Sequence, residues 1–147
     1  MRLNLLAAAA FAFVALAAPA WAQSEEDVME QIESLHGMST EFGEAFAQLQ
    51  DSFLFGDPSG MASLGAYPLP VQANGESYDL LEPQDLVDNF DALLTDETQS
   101  ALGGQDFDDL IVTSDGVGFA NGALWMSLIC EDDSCGNAYW AITSINN

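Results

Sequence analysis

The sequence predicts an α+β domain in which N-terminal helices pack on a curved antiparallel sheet. Apolar residues recur at helical spacing through the first half of the chain, a pattern typical of helices with one buried face. Residues 107–147 instead alternate strand-like runs with turn residues. Between two of these runs stands Asn121-Gly122, which favours a type I′ hairpin because both central residues of that turn need positive φ.

Residues 1–22 have the pattern of a secretory signal peptide. Arg2 is followed by an apolar run from Leu3 to Ala18, and Ala20-Trp21-Ala22 has the small-x-small form of a cleavage site. The alternative is a membrane anchor, but the run is short against the roughly 20 residues that a spanning helix needs. We therefore expect cleavage after Ala22, a single soluble α+β domain over residues 23–147, no membrane attachment after signal removal, and a periplasmic or secreted location.

The first two helices are predicted from caps and apolar spacing. Ser24, followed by three acidic residues, predicts a helix start, and His36-Gly37 predicts its end. Ser39 begins a second helix that Gly56 and Asp57-Pro58 terminate. Its apolar stripe consists of Phe42, Phe46, Leu49 and Phe53.

The middle of the chain mixes short elements with turns. Asp57 is expected to cap a brief helical turn, the prolines of Tyr67–Val71 enforce an extended segment, and Ala73–Glu76 is a turn. Tyr78 to Leu81 is a candidate edge strand. Pro83 opens a third helix at its first position, and Thr95 caps a short segment that ends at Gly103-Gly104. The buried face of the third helix comprises Leu86, Val87, Phe90, Leu93 and Leu94.

Turn chemistry also predicts two strand registers. A two-residue loop at Asn121-Gly122 sets Phe119 opposite Leu124 and Gly118 opposite Trp125, where the missing side chain of Gly118 leaves room for the indole. If Cys130 opposes Cys135, the next ladder sets Trp125 opposite Trp140 and Met126 opposite Tyr139. Both registers depend on local turns, and a slip by one residue would exchange the faces.

The charge balance is the most unusual property of the chain. All 24 Asp and Glu lie after residue 22, whereas the one Lys or Arg is Arg2, and the formal net charge is −23. Residues 23–147 therefore cannot form Lys or Arg salt bridges and cannot neutralise phosphates, which excludes nucleic acid and anionic membranes as partners. A solubilising surface is the interpretation we favour, and an anionic face for a basic partner or for divalent cations is the alternative.

The two cysteines and the sole histidine offer little catalytic chemistry. Cys130 and Cys135 are close in sequence in a chain that we expect to be exported, so a disulfide is the natural interpretation, and a two-thiolate metal site is a poor alternative. His36 is explained by its position at a helix end. Two acidic runs, Asp106–Asp109 and Glu131–Asp133, have the oxygen ligands that Ca²⁺ prefers but fit no EF-hand loop. We assign no catalytic residue, no metal site and no cofactor.

The chain resembles the nuclear-transport-factor-two-like superfamily, and within it small exported bacterial proteins of unassigned role. Three stretches carry the resemblance: Tyr67–Val71, the helix around Leu86 to Leu94, and the run Gly116–Trp125 with a last strand like Tyr139 to Asn146. The resemblance implies a cone-like fold whose concave sheet face is apolar and forms a pocket in some members. It gives Phe119, Trp125, Tyr139 and Trp140 as candidate pocket or sheet residues.

Two functions follow as alternatives. The first is an exported, non-catalytic acidic domain that binds a small apolar ligand or a basic protein partner, as a monomer or a homodimer. The second is a small isomerase or cyclase of the ketosteroid-isomerase type, which requires a buried carboxylate base and a donor for the enolate oxygen. Asp91, Asp115, Tyr78 and Tyr139 are the residues considered for such a site, but we favour a solvated position for Asp91 and rim or turn positions for the other three.

Overall fold

The computed structural model describes residues 23–147, so the predicted signal peptide lies outside the described residues. Five α-helices and six β-strands follow one another along this part of the chain. The helices are α1 (Glu25–Leu35), α2 (Ser39–Leu54), α3 (Pro58–Ala62), α4 (Pro83–Leu93) and α5 (Asp96–Gly103). The strands are β1 (Leu69–Ala73), β2 (Glu76–Leu80), β3 (Ile111–Thr113), β4 (Gly116–Phe119), β5 (Leu124–Cys130) and β6 (Ala138–Asn146).

Helix α1 begins where the capping signal predicts. The Ser24 hydroxyl accepts a hydrogen bond from the Asp27 backbone N–H at 3.2 Å, and the Asp27 carboxylate accepts from the Ser24 N–H at 3.0 Å. These two bonds satisfy donors that a helix start leaves without partners. Val28 and Ile32, four residues apart, form the buried face of this helix.

The remaining helices also begin at the predicted residues. The Asp57 side chain caps α3 by accepting from Ser59 N–H at 3.0 Å, and Thr95 caps α5 by accepting from Thr98 N–H at 3.3 Å. Pro83 occupies the first turn of α4. Of the four residues in the predicted stripe of α2, Phe42, Phe46 and Leu49 are buried, and Phe53 is half-buried and packs against the core.

The helices pack against one face of an open six-stranded sheet with the order β2-β1-β6-β5-β4-β3. Along β1, Leu69, Val71 and Ala73 are buried while Pro70 and Gln72 are exposed. This alternation shows that only one face of the strand contacts the core. The α+β class is thereby confirmed, and β2 is an edge strand as predicted; the cone-like shape stays a prediction.

One junction of the sheet departs from the predicted antiparallel arrangement. Strands β1 and β6 are parallel, with Val71 next to Ile145, so the sheet is mixed. Both of these side chains are buried, and the pairing joins the β1–β2 hairpin to the C-terminal strands in one continuous apolar face. No turn connects these two strands, so no local sequence signal marks the pairing.

The hairpin at Asn121-Gly122 has the predicted register. Phe119 pairs with Leu124 and Gly118 with Trp125. Asn121 and Gly122 have φ of 57° and 90°, and the Ala123 N–H donates to the Ala120 carbonyl at 3.2 Å. Both central positions therefore have the positive φ that type I′ requires. Ala120 also has a positive φ, of 46°, and the strands end at Phe119 and Leu124, so the connection is four residues long rather than the predicted two.

The register predicted for the next hairpin is wrong. Cys130 pairs with Ala138 rather than with Cys135, and Trp140 pairs with Leu128 rather than with Trp125. Cys135 lies in the connecting turn with φ of 52°, outside either strand. The turn residues thus extend to Asn137, whose carbonyl accepts from Glu131 N–H at 2.9 Å.

Candidate functional site

The four predicted pocket or sheet residues lie on opposite faces of the sheet. Phe119 and Trp140 face the helices and are almost fully buried. Tyr139, which alternates with Trp140, is 44% exposed on the uncovered face. Trp125 is half-buried there between the buried residues Leu124 and Met126. The structure therefore does not bring the four side chains together in one pocket.

Aromatic rings fill the space between α2 and the sheet. The Phe42 ring centroid lies 5.0 Å from that of Trp140, and the Phe46 centroid lies 4.3 Å from Phe107 and 5.7 Å from Phe119. The Trp140 indole N–H donates to the Met38 carbonyl at 2.9 Å, so its polar atom is also satisfied. These contacts fill the space between α2 and the sheet with packed aromatic side chains.

The carboxylates lie at the surface. Of the 24 Asp and Glu, all except Asp85 are exposed, and Asp85 is half-buried. The Asp85 carboxylate accepts from Leu81 N–H at 2.8 Å and from Glu82 N–H at 3.1 Å, which explains its position at the start of α4. An isomerase of the ketosteroid-isomerase type needs a carboxylate base inside its pocket, whereas Asp91 and Asp115 are both exposed.

Two of the three tyrosines are also explained by local contacts. Burial, followed by the nearby Asp85 charge, raises the pKa of Tyr67, whose hydroxyl donates to the Ala62 carbonyl at 2.8 Å. The hydrogen bond from Tyr78 to the Glu76 carboxylate, at 2.7 Å, raises the pKa of Tyr78. The phenols of Tyr67 and Tyr78 therefore stay protonated and are already hydrogen-bonded to a neighbour, whereas the side chain of Tyr139 is 44% exposed.

The cysteines and the histidine have structural partners. Cys130 and Cys135 form a disulfide across the β5–β6 turn, as predicted. His36 Nε2 donates to the Thr113 carbonyl at 2.7 Å, and its ring meets Trp140 edge-on with centroids 5.3 Å apart. These contacts join the end of α1 to β3 and account for the position of His36.

One of the two acidic runs converges in space. Carboxylate oxygens of Asp106, Asp108 and Asp109 lie within 4.8 Å of one another, and all three residues are exposed. In the other run, the Asp132 carboxylate accepts from the Ser134 N–H and hydroxyl and from Gly136 N–H, and these bonds, the hydroxyl's first, lower its pKa. Exposed acidic clusters such as Asp106, Asp108 and Asp109 are common without a bound ion. The Asp132 carboxylate instead stabilises the turn in which it lies.

A groove of about 390 Å³ lies on the uncovered sheet face beside Trp125. The indole packs over Gly118, where an added Cβ would lie 3.0–3.2 Å from three ring atoms, so the predicted role of this glycine is confirmed. The groove hydroxyls serve the sheet itself: Ser127 Oγ donates to the Asp115 carbonyl at 2.8 Å and lies 3.2 Å from Thr143 Oγ1. Besides the half-buried Trp125 ring, the groove is lined by the polar side chains of Asp115, Ser144 and Asn146.

The end of α2 carries an apolar surface that the sequence analysis missed. Leu54 and Phe55 are 73% and 76% exposed, and we call this pair the apolar ridge. Phe55 borders a groove of about 480 Å³ together with Glu44, Asp51 and Asp57. The sequence does contain a signal for this surface, namely the three consecutive apolar residues Phe53 to Phe55. Successive helical positions differ by about 100°, so three in a row cannot all face the core.

Comparison with known proteins identifies no relative: no family model, no curated protein and no solved structure matches the chain. The resemblance to the nuclear-transport-factor-two-like superfamily therefore stays a prediction. Within residues 23–147, none of the helices has both the length and the apolar character needed to cross a membrane.

Proposed function

We propose that this chain is an exported, non-catalytic domain that binds a basic protein partner through its acidic surface. The observation that carries the proposal is the distribution of carboxylates, nearly all of which are exposed in a part of the chain that has no Lys or Arg. Such a surface attracts cationic segments over distances of about a Debye length and accelerates their association.

The structure favours a partner at the surface over a small apolar ligand inside. Phe42, Phe46 and Trp140 occupy the interior with ring contacts of ordinary aromatic packing distance. A ligand that entered there would have to displace packed rings, and core cavities are costly to open. The isomerase alternative lacks support because no carboxylate of residues 23–147 is buried, so none is placed to act as a base inside a pocket.

Calorimetric titration of the purified protein with synthetic peptides tests the proposal. One peptide has a central phenylalanine flanked by lysines, and its matched control replaces each lysine with glutamate. We expect saturable binding of the basic peptide at about 0.15 M salt, weakening as salt rises, and no binding of the acidic control. Absence of saturation with the basic peptide would refute the proposed function.

A further inference from the structure

We propose that the apolar ridge at the end of α2 is the docking site for the basic partner, and that it recognises an apolar side chain flanked by lysine or arginine. This inference rests on the proposed function and adds the place and the chemistry of recognition. The ridge residues Leu54 and Phe55 are the most exposed large apolar side chains of the described chain, and carboxylates line the groove beside Phe55.

Core packing does not account for the apolar ridge. On α2, Phe42, Phe46 and Leu49 already supply the buried stripe, and Leu54 and Phe55 lie beyond it. Gly56, with φ of 64°, turns the chain away immediately afterwards. Two adjacent large apolar side chains in water cost hydration free energy that a partner surface would recover.

The carboxylates beside the ridge specify a cationic occupant. Glu44, Asp51 and Asp57 share the Phe55 groove, and Asp96 shares a separate groove with Leu54. The last turn of α2 contains no basic residue, so its carbonyl ends add partial negative charge that nothing in the helix offsets. A lysine or arginine beside an apolar anchor at Phe55 would lie in the groove that contains Glu44, Asp51 and Asp57, and a second basic residue would be needed for Asp96 in the separate Leu54 groove.

A second copy of the chain is a poor occupant of the same surface. Each copy brings the same carboxylates and none of the lysines or arginines that could face them, because residues 23–147 contain neither. Close approach of two such surfaces is repulsive, and like charges placed opposite each other cost several kcal/mol at interfaces. Charge complementarity therefore selects a basic partner over self-association.

The test uses calorimetry with the basic peptide on variants of the ridge. Leu54→Ser combined with Phe55→Ser removes the apolar contact while changing only exposed side chains, so the fold should be retained, which circular dichroism verifies. We expect this double variant to bind the peptide at least tenfold more weakly. Leu81→Ser is the matched control, since Leu81 is also exposed, at 70%, but borders neither ridge groove, and its binding should equal that of the wild type.

A second pair of variants tests the charges. Glu44→Gln with Asp51→Asn removes two carboxylates beside the ridge, and Asp108→Asn with Asp109→Asn removes two elsewhere. Because the net charge changes equally, a site at the ridge predicts weaker binding and a shallower salt dependence for the first pair than for the second. Equal effects of the two pairs would indicate diffuse electrostatic attraction and would overturn the docking site.

The outcomes separate the two proposals. If the basic peptide binds the wild type and the ridge variant equally well, the docking site is wrong while the proposed function stands. If the basic peptide does not bind the wild type at all, both proposals fail. Self-association of the wild type that the ridge variant abolishes, measured by sedimentation, would assign the ridge to a second copy and overturn this inference.

Discussion

Phe42 within α2 and Phe55 just after it show how position relative to a helix decides whether a phenylalanine is buried or exposed. Phe42 lies on the core stripe of α2 with no exposed surface, whereas Phe55 directly follows the helix and is 76% exposed. The rings of Phe46, Phe107, Phe119 and Trp140 surround Phe42. The same side chain is thus a stability determinant at one position and a candidate contact surface at the other.

Truncating these two residues should have very different effects on stability. Phe42→Ala removes a fully buried ring and should lower the free energy of unfolding by about 3–5 kcal/mol. Phe55→Ala should change it by no more than about 0.5 kcal/mol, because the ring is exposed. Urea unfolding monitored by circular dichroism measures both, and a comparable loss in the two variants would contradict the packing described for the core.

Single residues also mark the limit of what the sequence predicts in the sheet. Asn121 and Gly122 fix their hairpin register because a type I′ turn demands two positive φ values, which few residues adopt. The register predicted from Cys130 and Cys135 is wrong because a disulfide fixes the distance between two cysteines but does not require them to be paired across two strands. Cys135 can therefore lie in the turn. Trp140 consequently faces the core, and its pairing with Trp125 does not occur.

At the scale of elements, helix ends are the best-predicted features of this protein. The caps of α1, α3 and α5 are short-range hydrogen bonds between residues two or three positions apart, so the local sequence contains all the information. The parallel pairing of β1 with β6 joins residues more than seventy positions apart. Such pairing depends on how the whole core closes, which no local pattern records.

The capping box of α1 predicts a pH-dependent contribution to stability. The hydrogen bond from the Ser24 hydroxyl, and then that from the Ser24 N–H, lowers the pKa of Asp27 below its usual 3.8. Because the folded pKa is depressed, the stabilisation is present above pH 3.8 and is lost as pH falls through the folded value. Ser24→Ala should therefore destabilise the protein most near neutral pH and progressively less in acid.

Titration of Asp27 by nuclear magnetic resonance checks this cause directly. In Ser24→Ala the pKa of Asp27 should rise towards its usual value, while the pKa of Asp132, which the Ser134 and Gly136 bonds lower at the β5–β6 turn, should not change. An unchanged Asp27 pKa would mean that the Ser24 hydroxyl does not stabilise the carboxylate.

At the scale of the whole molecule, repulsion among the carboxylates is the dominant electrostatic property. Residues 23–147 contain 24 acidic side chains, and His36 is the only side chain there that can carry positive charge. Hydrogen bonds such as those to Asp85 and Asp132 stabilise individual carboxylates, but they do not reduce the net charge of the domain. The folded state concentrates this charge more than the unfolded chain does.

Added salt should therefore raise the thermal unfolding midpoint. Between about 0.01 M and 1 M NaCl the screening length falls from about 30 Å to about 3 Å, which covers the spacing of surface charges. Differential scanning calorimetry measures the midpoint, and the same series near pH 3, where carboxylates protonate, should show a smaller salt effect. A midpoint that stays constant at neutral pH would show that the carboxylates are too widely spaced to repel.

The central place of β6 has a consequence for the order of events in the cell. This strand, formed by residues 138–146, lies between β1 and β5 and is the bridge that unites the two halves of the sheet. A nascent chain cannot complete the sheet until residue 146 has left the ribosome, because β1 and β2 have no other route to the remaining strands. Under the proposed export, this order would help the chain to stay incompletely folded while it is threaded through a translocation channel, because the strand that completes the sheet is synthesised after the other described strands.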